Sequence, residues 1–264
     1  MCARIALLGV EIDPLSMDQA VRQILAWVAG GERRCRYVVT PNVDHVVMLQ
    51  HHAGLQAAYQ RAGMILADGA PVIWASRLLR KPLPGRVAGS DLVPALFAAA
   101  DQDQPLSVYL LGAGAGVAER AATNIERRWP GVKIVGTYSP PLGFEKDAAE
   151  NAAILRRIAV ARPDVLIVGL GAPKQELWVA EHAPRIEARA ALCVGATIDF
   201  LAGEKARAPG WMQDAGLEWL HRVLSEPRRL AARYARDAWV FPQLVVREWW
   251  RSPDRPTLAR SWLV

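Results

Sequence analysis

"MILADGAPVIWAS", residues 64–76, carries an apolar run straight into Asp68 and Gly69 and then begins a second apolar run. The first run reads as a buried strand and the second as a helix. A carboxylate at that handover is costly to bury without a partner. Asp68 is therefore either a cap for the following helix or a group held ready for chemistry.

Outward from this stretch, short apolar runs alternate with longer helix-patterned segments. Strands are predicted near 5–10, 36–40, 63–67, 106–111, 132–137, 164–169 and 190–195, and helices at 16–29, 43–61, 71–80, 90–101, 115–129, 145–161 and 174–183. The first helix has Ser16 as its N-cap and Gly30-Gly31 as its stop. This rhythm predicts an α/β fold: a Rossmann-like, mostly parallel sheet with helices on both faces. Ligands on such sheets bind beyond the carboxyl ends of the strands. Thr40-Pro41-Asn42, Asp68, Gly112-Ala113-Gly114 and Gly169-Leu170-Gly171 all fall at predicted strand ends. Small or polar residues at four such ends point to one site more than to four unrelated turns.

After about residue 205 the rhythm stops, and the chain turns helical, aromatic and Arg-rich. Ser225-Glu226-Pro227 reads as a fresh helix start, with Pro tolerated in the first turn. The expected division is an α/β domain over 1–205 and a helical appendage over 206–264. Residues 222–264 hold nine Arg and four acids, and six of the ten Trp lie beyond residue 210. Arg interleaved with Trp suits an anionic membrane surface, or equally a solvated helix face. Trp249-Trp250 between Arg247 and Arg251 reads as interfacial or as a pair packed on the core.

Composition narrows the remaining classes. Fifty-two per cent hydrophobic and 22% charged residues describe a globular chain of 264 residues. No run approaches the roughly 18 apolar residues of a membrane span, and the start resembles no secretory signal. Cys2, Cys35 and Cys193 are scattered and odd in number, so reduced thiols and a cytoplasmic setting are expected. His45, His51 and His52 have no ligand spacing and read as surface residues, and no metal site is expected. Asp101-Gln102-Asp103 matches a DxD pattern but sits at a polar helix exit. The isoelectric point of about 9.5 raises a nucleic-acid-binding module, which the absence of any RNA-binding fingerprint disfavours.

"YLLGAGAGVAERAA" (109–122) follows a strand and opens a helix, yet its glycines miss the GxGxxG spacing and no acid follows about 20 residues on. A dehydrogenase is disfavoured, and the loop reads as a ligand contact or a tight turn. Neither a P-loop nor a GxSxG elbow occurs. "VGLGAPKQELWVAEH" (168–182) is more specific. A strand ends in Gly169-Leu170-Gly171, and Lys174, Gln175 and Glu176 open a helix whose end favours an anion. Lys174 adds positive charge, and Gln175 has the donors and acceptor to bond a base, sugar or phosphate.

Five blocks in order, "TPNVDHV" (40–46), "ADGAPVIWASRLL" (67–79), "GRVAGSDL" (85–92), "VGLGAPKQELW" (168–178) and "GATIDFLAGEKARAPGWMQDAGLEWLHRVLSEPRRLAARY" (195–234), resemble the WecG/TagA/CpsF family of bacterial glycosyltransferases. The resemblance spans about residues 5–240. It implies inverting transfer of a sugar (N-acetylmannosamine, its uronic acid, or glucose) from a UDP-sugar to an undecaprenyl-diphosphate glycolipid, with no cofactor. By the family pattern Asp68 is the catalytic base, Thr40 and Asn42 line the sugar pocket, Arg86 contacts diphosphate or acceptor, and Gln175 lies with Gly171 and Lys174 in the nucleotide-sugar pocket. Arg222, Arg229 and Arg233 fall on the family's appendage arginines. They imply docking on an anionic membrane surface, peripheral on the inner face, with some arginines turned toward the diphosphate. A nucleotide-sugar-modifying enzyme such as an epimerase is the rival reading, and a homo-oligomer is compatible with the pattern.

Overall fold

The computed structural model describes residues 3–30, 34–214, 216–225 and 227–251, with the side chains at 213, 214, 222 and 227–229 outside the description. The chain opens with a hairpin of β1 (Ile5–Leu7) and β2 (Val10–Ile12), followed by α1 (Met17–Ala29), β3 (Arg36–Val39), α2 (Val43–Leu49), α3 (Ala53–Gln60), β4 (Met64–Ile65), α4 (Ala70–Leu78) and α5 (Gly89–Ala98). Then come β5 (Leu106–Gly112), α6 (Val117–Arg128), β6 (Val132–Tyr138), α7 (Ala148–Ala161), β7 (Val165–Gly169), α8 (Lys174–His182), β8 (Ala190–Cys193) and α9 (Thr197–Ala202). Three helices follow, α10 (Gly210–Asp214), α11 (Glu218–Ser225) and α12 (Pro227–Arg251).

Six strands form one parallel sheet in the order β4-β3-β8-β7-β5-β6. Its alternation explains the layering. Val39, Leu111, Val168 and Cys193 join one buried cluster with α2, α3 and α8, while Val38, Leu110, Ile167 and Leu192 join the other with α1, α5 and α6. Central strands buried on both faces must be apolar throughout, and each such side chain contributes about 1.5–3 kcal/mol relative to exposure. The connections β3→β4 and β5→β6 lead to opposite edges, so the strand order reverses over β8 and β7. That reversal opens a crevice at the carboxyl ends.

Two expected elements differ. The strand expected over 5–10 is a hairpin outside the main sheet, because Leu8 (φ 53) and Gly9 (φ 77) turn the chain back. The single helix expected over 43–61 is α2 and α3, parted where His52 caps α3 by accepting from Leu55 N–H at 3.1 Å. Ser16 caps α1 in a capping box with Gln19, and Gly30 ends it, Gly31 lying outside the described residues.

The 112–116 loop is a turn, not part of the crevice. A methyl group at Gly112 would lie 2.4 Å from Gly169 O, and its φ of +117 disfavours any side chain. The Ser139 hydroxyl lies within hydrogen-bond reach of Gly112 O and Gly114 O, at 3.2 and 3.1 Å, and ties the loop to the end of β6. Asp101 and Asp103 are exposed on the turn leading into β5, at the amino ends of the strands and away from the carboxyl-end crevice. Cys35 and Cys193 are free and buried, and Cys2 lies outside the described residues.

Candidate active site

The loops after β3, β4, β7 and β8 enclose a cavity of about 620 Å³, with α11 and α12 closing one side through Glu218, Arg233, Tyr234, Asp237 and Phe241. Sites of this volume hold small-molecule ligands.

Asp68 is half-buried on the cavity wall. The N-cap position of α4 is Gly69, at φ 87, so Asp68 lies one residue before the cap rather than at it. Its backbone N–H donates to Pro41 O at 2.9 Å, joining the loops that follow β4 and β3. Thr40 is buried in the same wall. Asn42 also lines it, and its Oδ1 caps α2 by accepting His45 N–H at 3.2 Å.

Arg86 Nη1 donates to Glu218 Oε2 and Nη2 to Asp91 Oδ2, each at 2.9 Å. Arg207 Nη1 lies 2.8 Å from the other Asp91 oxygen. Burial pulls the Arg86 pKa down, but Asp91, Asp68 and Glu218 push it up and prevail. On α12, Arg233 and Arg236 both approach Asp44, at 3.4 and 2.6 Å, and Arg236 also donates to the buried Asp237. Burial raises the Asp237 pKa against the pull of Arg236. The side chains of Arg222, on α11, and Arg229, on α12, lie outside the described residues.

Gly171, at φ 78, lines the cavity beside Gln175. Gln175 is 3% exposed; its Oε1 accepts Gly195 N–H at 3.1 Å and its Nε2 donates to Glu176 Oε1 at 2.7 Å. Lys174, one residue earlier, is not brought to the cavity. Helical rotation turns it outward, where its Nζ lies 3.4 Å from Glu145 Oε2 and over the Phe144 ring.

The sequence reading missed polar groups in this wall and the layer behind it. His45, expected at the surface, is buried, with Nδ1 2.7 Å from the Tyr59 hydroxyl and Nε2 3.9 Å from Glu176 Oε1. Burial holds His45 down at about 4 and Glu176 up at about 7, so the two are not an ion pair at neutral pH. Asp44, Glu218 and Asp237 also escaped notice. The spacing of Asp237 four residues after Arg233 was the one local signal for them.

A half-buried carboxylate, an arginine held by two acids and a fixed amide thus face one cavity. That set suits a polar, anionic ligand and a proton acceptor for a reacting hydroxyl. Two Staphylococcus aureus proteins, from strains MRSA252 and MW2, are each 30% identical to this chain over 228 residues, covering 86% of it and 87% of their own length. Both are described as N-acetylglucosaminyldiphosphoundecaprenol N-acetyl-beta-D-mannosaminyltransferase. Residues 5–255 match the profile of the Glycosyl transferase WecG/TagA/CpsF family, and the chain belongs to that family.

Proposed function

We propose that this chain transfers N-acetylmannosamine, with inversion, from its UDP-sugar to an undecaprenyl-diphosphate-linked acceptor, with Asp68 as the general base. The observation that carries this reading is Asp68 on the cavity wall, in the electrostatic reach of Arg86. The acceptor hydroxyl oxygen forms the new bond to the anomeric carbon as the bond from that carbon to the diphosphate oxygen breaks. The hydroxyl proton passes to Asp68, and the electron pair leaves with UDP.

Arg86 and Arg233 are the cations suited to the diphosphate, and an incoming phosphate would share them with Glu218 and Asp44. By the family pattern Arg222 and Arg229 belong to the same set. Thr40, Asn42, Gly171 and Gln175 shape the sugar and nucleotide pocket.

Residues 206–264 act as the appendage that docks on the anionic inner face of the membrane. Trp211, Trp239 and Trp250 are more than half exposed, which suits the headgroup level. Among the described residues no helix is long and apolar enough to cross a membrane. Trp249 packs toward the core while Trp250 faces out, so each of the two readings of that pair has one ring in its favour.

The test is transfer from UDP-N-acetylmannosamine to a short-chain polyprenyl-diphosphate N-acetylglucosamine, read by product mass. Turnover of donor without acceptor would favour the epimerase reading instead.

A further inference from the structure

Glu176 takes no part in the chemistry above. It is fully buried, does not line the cavity, and its Oε2 has no hydrogen-bond partner among the described residues. A carboxyl kept inside with half its acceptor capacity unused is expensive, and an apolar side chain would avoid that cost. Its Oε1 accepts from Gln175 Nε2 at 2.7 Å. His45 Nε2, 3.9 Å from the same oxygen, is too far for a hydrogen bond.

Gln175 is gripped from both ends by groups of opposite polarity. The Gly195 N–H can only donate, so it takes Oε1, and the Glu176 oxygen accepts, so it takes Nε2. Only one of the two amide orientations satisfies both. One N–H of Nε2 and one lone pair of Oε1 are left over for a ligand in the cavity that Gln175 lines.

We propose that Glu176 is a positioning residue that locks the Gln175 side-chain amide in one orientation and thereby fixes the donor–acceptor pattern offered to the nucleotide-sugar. This rests on the reading of Gln175 as part of the donor pocket. An amide free to rotate would present the wrong atom part of the time. A ligand built for one pattern then binds more weakly and sits less well for transfer.

The experiment measures UDP-N-acetylmannosamine affinity by titration calorimetry, together with kcat and KM, in the full-length protein. Glu176→Met keeps the side-chain length and removes the acceptor; Glu176→Gln keeps an acceptor oxygen. Glu176→Asp draws the carboxyl back by one methylene, and it carries the test if the Met variant does not fold. Met and Asp are expected to weaken donor binding about tenfold, mostly in KM, and Gln to restore it to within about threefold of wild type. In a Gln175→Ala background, Glu176→Met should add less than about twofold, because there is no amide left to orient. Equal losses with and without Gln175, or no loss in the single variants, would overturn the inference in favour of a packing role. Failure of the unaltered protein to bind the donor would instead sink the functional reading itself.

Discussion

Arg86 and Glu218, 132 residues apart, meet through a 2.9 Å hydrogen bond at the cavity wall. The contact ties the segment that follows α4 to α11, so the helices beyond the sheet are fastened to the loops that hold Asp68. Arg86→Met would take this cation from Glu218 and leave Asp91 with Arg207. It should cost about 1–3 kcal/mol in urea unfolding, with a larger loss of transfer than of stability. Glu218→Gln, which keeps a hydrogen-bond acceptor, should cost less on both counts.

The far end of α12 is held separately. Glu248 accepts from Leu8 N–H at 2.6 Å and from Lys81 Nζ at 2.8 Å, while Lys81 also donates to Ala6 O. Glu248→Ala should raise hydrogen exchange along residues 240–251 and leave the central strands protected. A uniform rise across the sheet would mean that this end of α12 is integral to the global fold.

His45 and Glu176 make opposite contributions to stability against pH. The folded pKa of His45 is depressed from 6.5 to about 4 by burial and by Arg233, so its contribution is lost as pH falls through that interval. The folded pKa of Glu176 is raised from 4.5 to about 7 by burial, so its contribution is lost as pH rises through that one. Between about pH 4.5 and 6.5, folding in effect moves one proton from His45 to Glu176, and the two slopes cancel. Glu176→Gln should unmask stability that rises by roughly 3 kcal/mol from pH 4 to 6.5, and His45→Gln stability that falls by a similar amount from pH 4.5 to 7. Chemical denaturation of the three proteins across that range checks both signs. Tyr59 and Cys193, raised by burial, titrate above this window.

Trp239 and Trp250 are 75% and 56% exposed on α12. Replacing both by Ser should reduce co-sedimentation with anionic liposomes severalfold and leave thermal stability unchanged, because neither ring is part of the core. Undiminished sedimentation would remove the membrane-docking role of this face.

Much of this was legible in one dimension, for identifiable reasons. The β3, β5, β7 and β8 runs are apolar on both faces, so they announce central parallel strands. Asp68, Thr40, Asn42 and Gly171 stand out because strand ends in such a sheet converge on one crevice, and Gln175 stands out from its motif at the start of α8; all five line the cavity. Lys174 was grouped with Gln175 because a sequence motif does not reveal helical phase. The hairpin at 5–12 was hidden because Leu8 sits in a left-handed conformation that usually calls for Gly or Asn. His52 as a cap was equally unannounced, since Ser, Thr, Asp and Asn are the usual signals. Glu218 beside Arg86 and Asp44 beside Arg233 come from distant segments, and only the folded chain brings them together.

The central claim turns on one carboxylate, and its most direct measurement is the turnover of Asp68→Asn with UDP-N-acetylmannosamine and a short-chain polyprenyl-diphosphate N-acetylglucosamine. Loss of the general base should lower kcat by about 10²–10⁴-fold while donor affinity stays within about threefold of the unaltered protein. Turnover close to that of the unaltered protein would contradict the account, and the proton would then have to leave by another route.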